Sequence, residues 1–209
     1  MSSIKIVLFD LESALLYRPI QYSAFNPILE AHVDQQKIWD YILKYQRDIK
    51  YLFDDLYKTG LLQKKLNQYD ITSGIIQSVS DGSLFADVMQ TLQRLKELKY
   101  KLGVIGDVPE IFTRPSYTND LYKKIDFSLF PFEIGMTFDT EDAFFEISSR
   151  TGYRYPQMCL VAGQDFLKNS AVKTKEIYTV EINRNNEITD FESISNLSEI
   201  INKVYCHTL

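Results

Sequence analysis

Apolar and polar positions along this chain follow two rhythms. Ile6-Val7-Leu8-Phe9 is a compact apolar run closed by Asp10, which predicts a short buried strand over 5–9. From about 14 to 80 the spacing is helical, with few breakers after Pro27. Ile38, Ile42 and Tyr45 recur at helical intervals, and Leu52, Leu56 and Leu61-Leu62 follow. Val88, Leu92, Leu95 and Leu98 fall on one face of a helix predicted over 85–98. A second strand over 100–105 carries Leu102, Val104 and Ile105 and stops at Gly106-Asp107-Val108-Pro109. Residues 126–132 are aromatic and β-prone. A helix with Phe144, Phe145 and Ile147 as its apolar positions is predicted over 139–149. Strands over 158–162 and 176–182 flank a short helix near 166–173, and Ser195 or Asn196 caps a last helix reaching Val204. Asp81-Gly82-Ser83 and Asn183 to Asn186 carry turn chemistry, and no repeat or low-complexity tract occurs.

Strands alternating with helices predict an α/β fold with a parallel sheet covered on both faces. Ligands of such sheets bind outside the carboxyl ends of the strands. The informative positions are therefore Asp10-Leu11-Glu12, Gly106-Asp107 and Gly163-Gln164-Asp165. Acids gathered at one sheet edge suit a hard-cation site or an acid/base pair, while single polar residues after strands also arise simply from solvated loops.

Composition narrows the chemistry. The 209 residues, 45% hydrophobic, suffice for a real core, and a net charge of −5 supplies no basic field for nucleic acid or an anionic membrane. Eight glycines leave no phosphate cradle of the G-x-x-x-x-G-K-[ST] or G-x-G-x-x-G type. His32, His207, Cys159 and Cys206 are too scattered for a zinc site or a disulfide framework. The first apolar run is too short for a secretory signal or a membrane span, so cytoplasmic residence with reduced thiols is expected. Trp39, Tyr41, Tyr45, Tyr51, Phe53, Tyr57 and Tyr69 make the region after the first strand aromatic, which fits either internal packing or a partner surface.

The chain resembles the haloacid dehalogenase superfamily of hydrolases, mostly phosphatases, over nearly its full length. The resemblance rests on Ile6-Val7-Leu8-Phe9-Asp10-Leu11-Glu12-Ser13-Ala14-Leu15, on the stretch from Leu92 to Asp107, on Phe132-Glu133-Ile134-Gly135-Met136, on Cys159 to Asp165, and on the closing segment Ile194 to Ile201. It implies a Rossmann-like core over 1–13 and 83–209, with a helical cap over 14–82 inserted after the first strand. It also implies a catalytic plan. An Asp attacks phosphorus, a second Asp two positions on moves the proton, a Ser or Thr and a Lys hold the phosphoryl group, and later acids complete a Mg²⁺ shell.

By that resemblance Asp10 stands at the nucleophile position and Glu12 at the second acid, one methylene longer. Ser13-Ala14 replaces the usual Gly-Thr. Gly106, beside Asp107, takes the place of the phosphate-binding hydroxyl, and the lysine position falls on Phe138, with Lys168 an alternative cation. Gln164 occupies the first later metal position, with Asp165 one residue late and Asn169 in place of the following acid. A Mg²⁺ shell, if formed, would draw on Asp10, Glu12, Gln164 and Asp165, and Gly106 and Asp107 would face the ligand. The expectation is a degenerate member with weak or no phosphatase activity that binds a small-molecule ligand or a protein partner. The alternative is a working phosphatase with a rearranged site built on Asp10, Glu12 and Asp165. A receiver-like regulatory module fits less well, because the chain is too long and lacks a paired acid and a late Lys.

Overall fold

The computed structural model describes residues 3–17, 22–31, 34–63, 65–80, 82–113 and 115–207; Asp81 of the expected turn and His32 lie outside them. Six strands form a wholly parallel sheet: β1 Ile6–Asp10, β2 Lys101–Ile105, β3 Phe127–Leu129, β4 Met158–Ala162, β5 Tyr178–Ile182 and β6 Ser193–Ile194, in the order β3-β2-β1-β4-β5-β6. β1 is central and every residue in it is buried, as expected of an uninterrupted apolar run in a strand covered on both faces. Its neighbours are β2 on one side and β4 on the other, so the strand order reverses about it and opens a crevice at the carboxyl edge. The register sets Asp10 beside Ile105 and Phe9 beside Val161, which brings the ends of β1, β2 and β4 level.

Alternate residues along the strands feed two cores. Val7, Phe9, Leu102, Val104 and Val161 share one with Val88, Leu92 and Leu95 of the helix Val88–Glu97. Ile6, Leu8, Ile105 and Leu160 share the other with Phe138 and with Ala143, Phe144 and Ile147 of the helix Glu141–Thr151. The region between β1 and the helix Val88–Glu97 is helical, with helices Asn26–Leu29, Gln35–Leu43, Leu52–Lys58 and Gln68–Ser80. It leaves and rejoins the sheet through a clasp: Leu16 bridges Leu84 antiparallel, Tyr17 N–H donates to Ser83 O at 2.7 Å, and Phe85 N–H to Leu15 O at 3.0 Å. Phe25 of this region packs edge-on against both Trp39 and Phe112, so its apolar interior is continuous with the sheet's. Most of the aromatic series is therefore packing, with Phe53 buried, while Tyr51 and, at 80% exposure, Tyr69 face solvent.

Several expectations differ in detail. The β-prone stretch 126–132 yields a strand of three residues and then a helical turn, Pro131–Ile134, because Pro131 carries the φ of a first helical turn. Phe145, read as an apolar-face residue, is 64% exposed, and Ala143 takes the inward position. Leu98 caps its helix from outside, since Lys99 reverses the chain at φ 65°. β6 is only two residues long and shows no periodicity. Among the described residues no helix is long and apolar enough to cross a membrane.

Candidate functional site

The candidate site begins where β1 ends. Asp10 is 4% exposed and caps a π-helical turn, Leu11–Leu15, with Oδ2 accepting from the Ser13 N–H at 2.8 Å and from the Ser13 hydroxyl. That hydroxyl oxygen in turn accepts from Gly163 N–H at 2.6 Å, tying the end of β1 to the end of β4. Ser13 thus acts as a brace, a role its sequence position did not suggest. Burial pushes the Asp10 carboxyl up to about 6, although the two Ser13 hydrogen bonds pull the other way. The other oxygen, Oδ1, accepts no hydrogen bond from the described residues.

Gly106 follows β2 and lies behind Asp10. Its φ of 152° is one that side chains avoid, and a Cβ there would stand 2.8 Å from Asp10 Oδ1. Restoring a hydroxyl with Gly106→Ser therefore displaces Asp10 before it can serve any ligand. Urea denaturation should show a loss of about 1–3 kcal/mol for this variant. Asp107 is half-buried and accepts from Phe138 N–H at 3.0 Å. Burial raises its carboxyl to about 7 against that hydrogen bond, and the negative charges of Asp10, Asp139 and Asp40 add to the rise. Asp40 lies on the helix Gln35–Leu43 and outside the cavity lining, so the helical insertion reaches Asp107 only through its charge.

Phe138, at the position of the expected lysine, is fully buried, with its ring 5.5 Å from Phe144 and 5.9 Å from Phe166. It contributes packing and no charge. Lys168 is exposed and does not line the cavity.

In front of Asp10 lies a cavity of about 730 Å³, lined also by Glu12, Asp107, Gln164, Asp165, Glu181 and Glu187. Asp10, Glu12, Asp107, Gln164 and Asp165 are thus brought to one cavity, whereas Gly106 sits behind the carboxylate it was expected to accompany. One cation stands among the described lining residues, Arg184. Its guanidinium makes two bonds to Asp87, at 2.8 and 3.1 Å, donates to Ala14 O at 3.3 Å, and lies 3.6 Å over the Phe85 ring. In the sequence Arg184 shows only as part of a turn. The rule applied to three strand ends would have found it at a fourth, because Asn183-Arg184 directly follows β5. Glu181, the last residue but one of β5, is hidden in the sequence because it interrupts the apolar rhythm of a strand interior and not its end.

The donor set fits a resident Mg²⁺ poorly. A hard dication needs a near-octahedral shell of oxygens, and among the described residues no three His, Cys, Asp or Glu side chains are grouped to hold an ion. Asp10 spends one oxygen on Ser13, and the Gln164 side-chain amide donates to Ile188 O at 3.4 Å.

No protein-family model matches the sequence, and no curated protein is significantly similar to it. Solved structures do match. A HAD phosphatase from Thermococcus onnurineus superposes with a TM-score of 0.64 at 16% identity, over 99% of this chain and 100% of that one. A 2-haloacid dehalogenase from Pseudomonas syringae pv. Tomato DC3000 gives 0.65 at 18% identity, over 97% and 98%. A putative HAD-hydrolase from Bacillus subtilis bound to magnesium gives 0.63 at 13%, over 97% and 99%. The fold is therefore the haloacid dehalogenase-like fold.

Proposed function

We propose that this chain, built on the haloacid dehalogenase-like fold, has weak or no phosphatase activity and uses its cavity to bind a small-molecule ligand. On this reading the helical region over 14–82 serves as a cap to a core of 1–13 and 83–209. The observation that carries the proposal is the charge balance around Asp10. Carboxylates dominate the lining, and Arg184 is already neutralised by Asp87. A phosphoryl group entering here meets Asp10 and Asp107 with no free cation opposite among the described lining residues. Each like-charge contact near 4 Å costs about 4 kcal/mol at an effective dielectric of 20. Each missing oriented donor forfeits about 2.7–4 kcal/mol of transition-state stabilisation. Mg²⁺, which the fold family implies, finds two neighbouring carboxylates, Asp10 and Asp107, and its binding is expected to be weak or absent.

The geometry at Asp10 favours the competing reading, a phosphatase with Asp10 as nucleophile and Glu12 as acid/base: among the described residues Oδ1 accepts nothing, and Ser13 fixes the orientation of the carboxylate. Hydrolysis of p-nitrophenyl phosphate by the full chain, with Mg²⁺ and with EDTA, separates the two. The expected rate is low, independent of Mg²⁺ and equal to that of Asp10→Asn. Turnover that needs Mg²⁺ and disappears in Asp10→Asn would overturn the proposal.

A further inference from the structure

A second buried carboxylate, Glu181, lines the cavity beside Asp10. It sits at the carboxyl end of β5, paired in register with Ala162 on one side and Ser193 on the other, and is 3% exposed. Thr189 Oγ1 donates to its Oε2; among the described residues Oε1 accepts nothing, and no Lys or Arg pairs with the carboxylate. A carboxylate this deep is costly unless a cation or several donors face it. Ser170, directly after the helix Gln164–Asn169, is also on the cavity lining and 7% exposed. Among the described residues its hydroxyl has no hydrogen-bond partner. A buried hydroxyl left open beside a buried carboxylate that lines the same cavity calls for an occupant.

We infer that Glu181 and Ser170 form a subsite for a protonated organic amine, and that the ligand held in the cavity carries such a group. This rests on the reading above that the cavity binds a small molecule. An ammonium group is donor-only, with three N–H bonds and one positive charge, which matches two acceptors and one uncompensated negative charge. An anion is repelled by Glu181. A bare divalent ion lacks ligands, because no group of three candidate side chains converges among the described residues. A neutral alcohol or water satisfies the acceptors but leaves the charge unmatched. The rest of the ligand has room along Phe166, Tyr17 and Phe85, which line the same cavity. A body of hydrocarbon or ring therefore suits the space between the amine and Asp10.

The test is an amide-shift NMR titration of the full chain with n-butylamine and 2-phenylethylamine. Butyrate and n-butanol serve as charge-reversed and neutral controls. Saturable shifts around residues 170 and 181–189 with the amines alone are expected, with affinity at least tenfold lower in Glu181→Gln and several-fold lower in Ser170→Ala. Ser170→Ala removes a hydroxyl that has no partner among the described residues, so it keeps the test valid if Glu181→Gln folds poorly. No amine binding, equal binding of n-butanol, or undiminished binding in both variants would overturn the subsite. Each of those results leaves the expectation of absent phosphatase turnover standing, whereas Mg²⁺-dependent turnover would remove the premise itself.

Discussion

Asp107→Asn should make the protein more stable, and the gain should grow with pH. The Asp107 carboxyl is raised to about 7 in the folded chain from an ordinary value of 3.8. Between those values the folded state binds a proton that the unfolded state has released. Stability therefore falls as pH rises through that window, and the full penalty is reached above the folded value. Asparagine keeps an acceptor for the Phe138 N–H and never ionises. The gain should be near zero at pH 4 and reach on the order of 4 kcal/mol by pH 8, less whatever Asp10 recovers when its neighbour's charge is gone. Urea denaturation in EDTA at pH 4, 6 and 8 measures it. A variant less stable than wild type at pH 8 would show that a compensating cation, absent from the described lining, faces Asp107.

Arg184→Ala should have the opposite effect and a similar size. Its guanidinium holds Asp87 with two bonds, stacks on Phe85 and caps Ala14 O. Burial pushes the Asp87 carboxyl up, but the Arg184 hydrogen bonds and Leu197 N–H together bring it below the usual carboxylate range. Asp87 therefore contributes stability that is present above its unfolded value and is lost as pH falls through its lower folded value. Removing Arg184 strands a largely buried carboxylate with the Leu197 N–H, at 2.8 Å, and the clasp beside Leu15 loses its wall. The expected cost is about 3–5 kcal/mol at pH 7 by urea denaturation, shrinking toward acid pH as Asp87 protonates in both states. Arg184→Lys restores the charge without the fork and should recover only part. A loss below 1 kcal/mol would mean that the pair is only a surface contact.

The sheet was legible because its strands are short, apolar and bounded by acids or glycines. β1, β2 and β4 all emerge from the pattern of buried positions, and β4 does so to the residue. The helix faces were legible except at single positions: Phe145 and Leu98 are apolar but point to water, since Phe145 lies two residues past Ala143, on the opposite side of the helix, and the chain turns at Lys99. β6 left no trace because two residues cannot show a period. At the site, strand ends located Asp10, Asp107, Gln164 and Asp165. What stayed hidden was relational. Ser13 matters because it joins Asp10 to Gly163, and Phe138 because it is walled in by Phe144 and Phe166. Arg184 matters because Asp87, ninety-seven positions away, holds it. Such pairings are set by the register of the sheet and not by spacing along the chain.

Whether Asp10 can accept a phosphoryl group is tested most directly by ¹⁹F NMR of the full chain with beryllofluoride and Mg²⁺, which together mimic a phosphoryl group bonded to a carboxylate. A site with Phe138 in its core and Arg184 engaged by Asp87 should give only the signals of free fluoride species, the same in wild type and in Asp10→Asn. A slowly exchanging protein-bound signal in wild type that is missing from Asp10→Asn would contradict it.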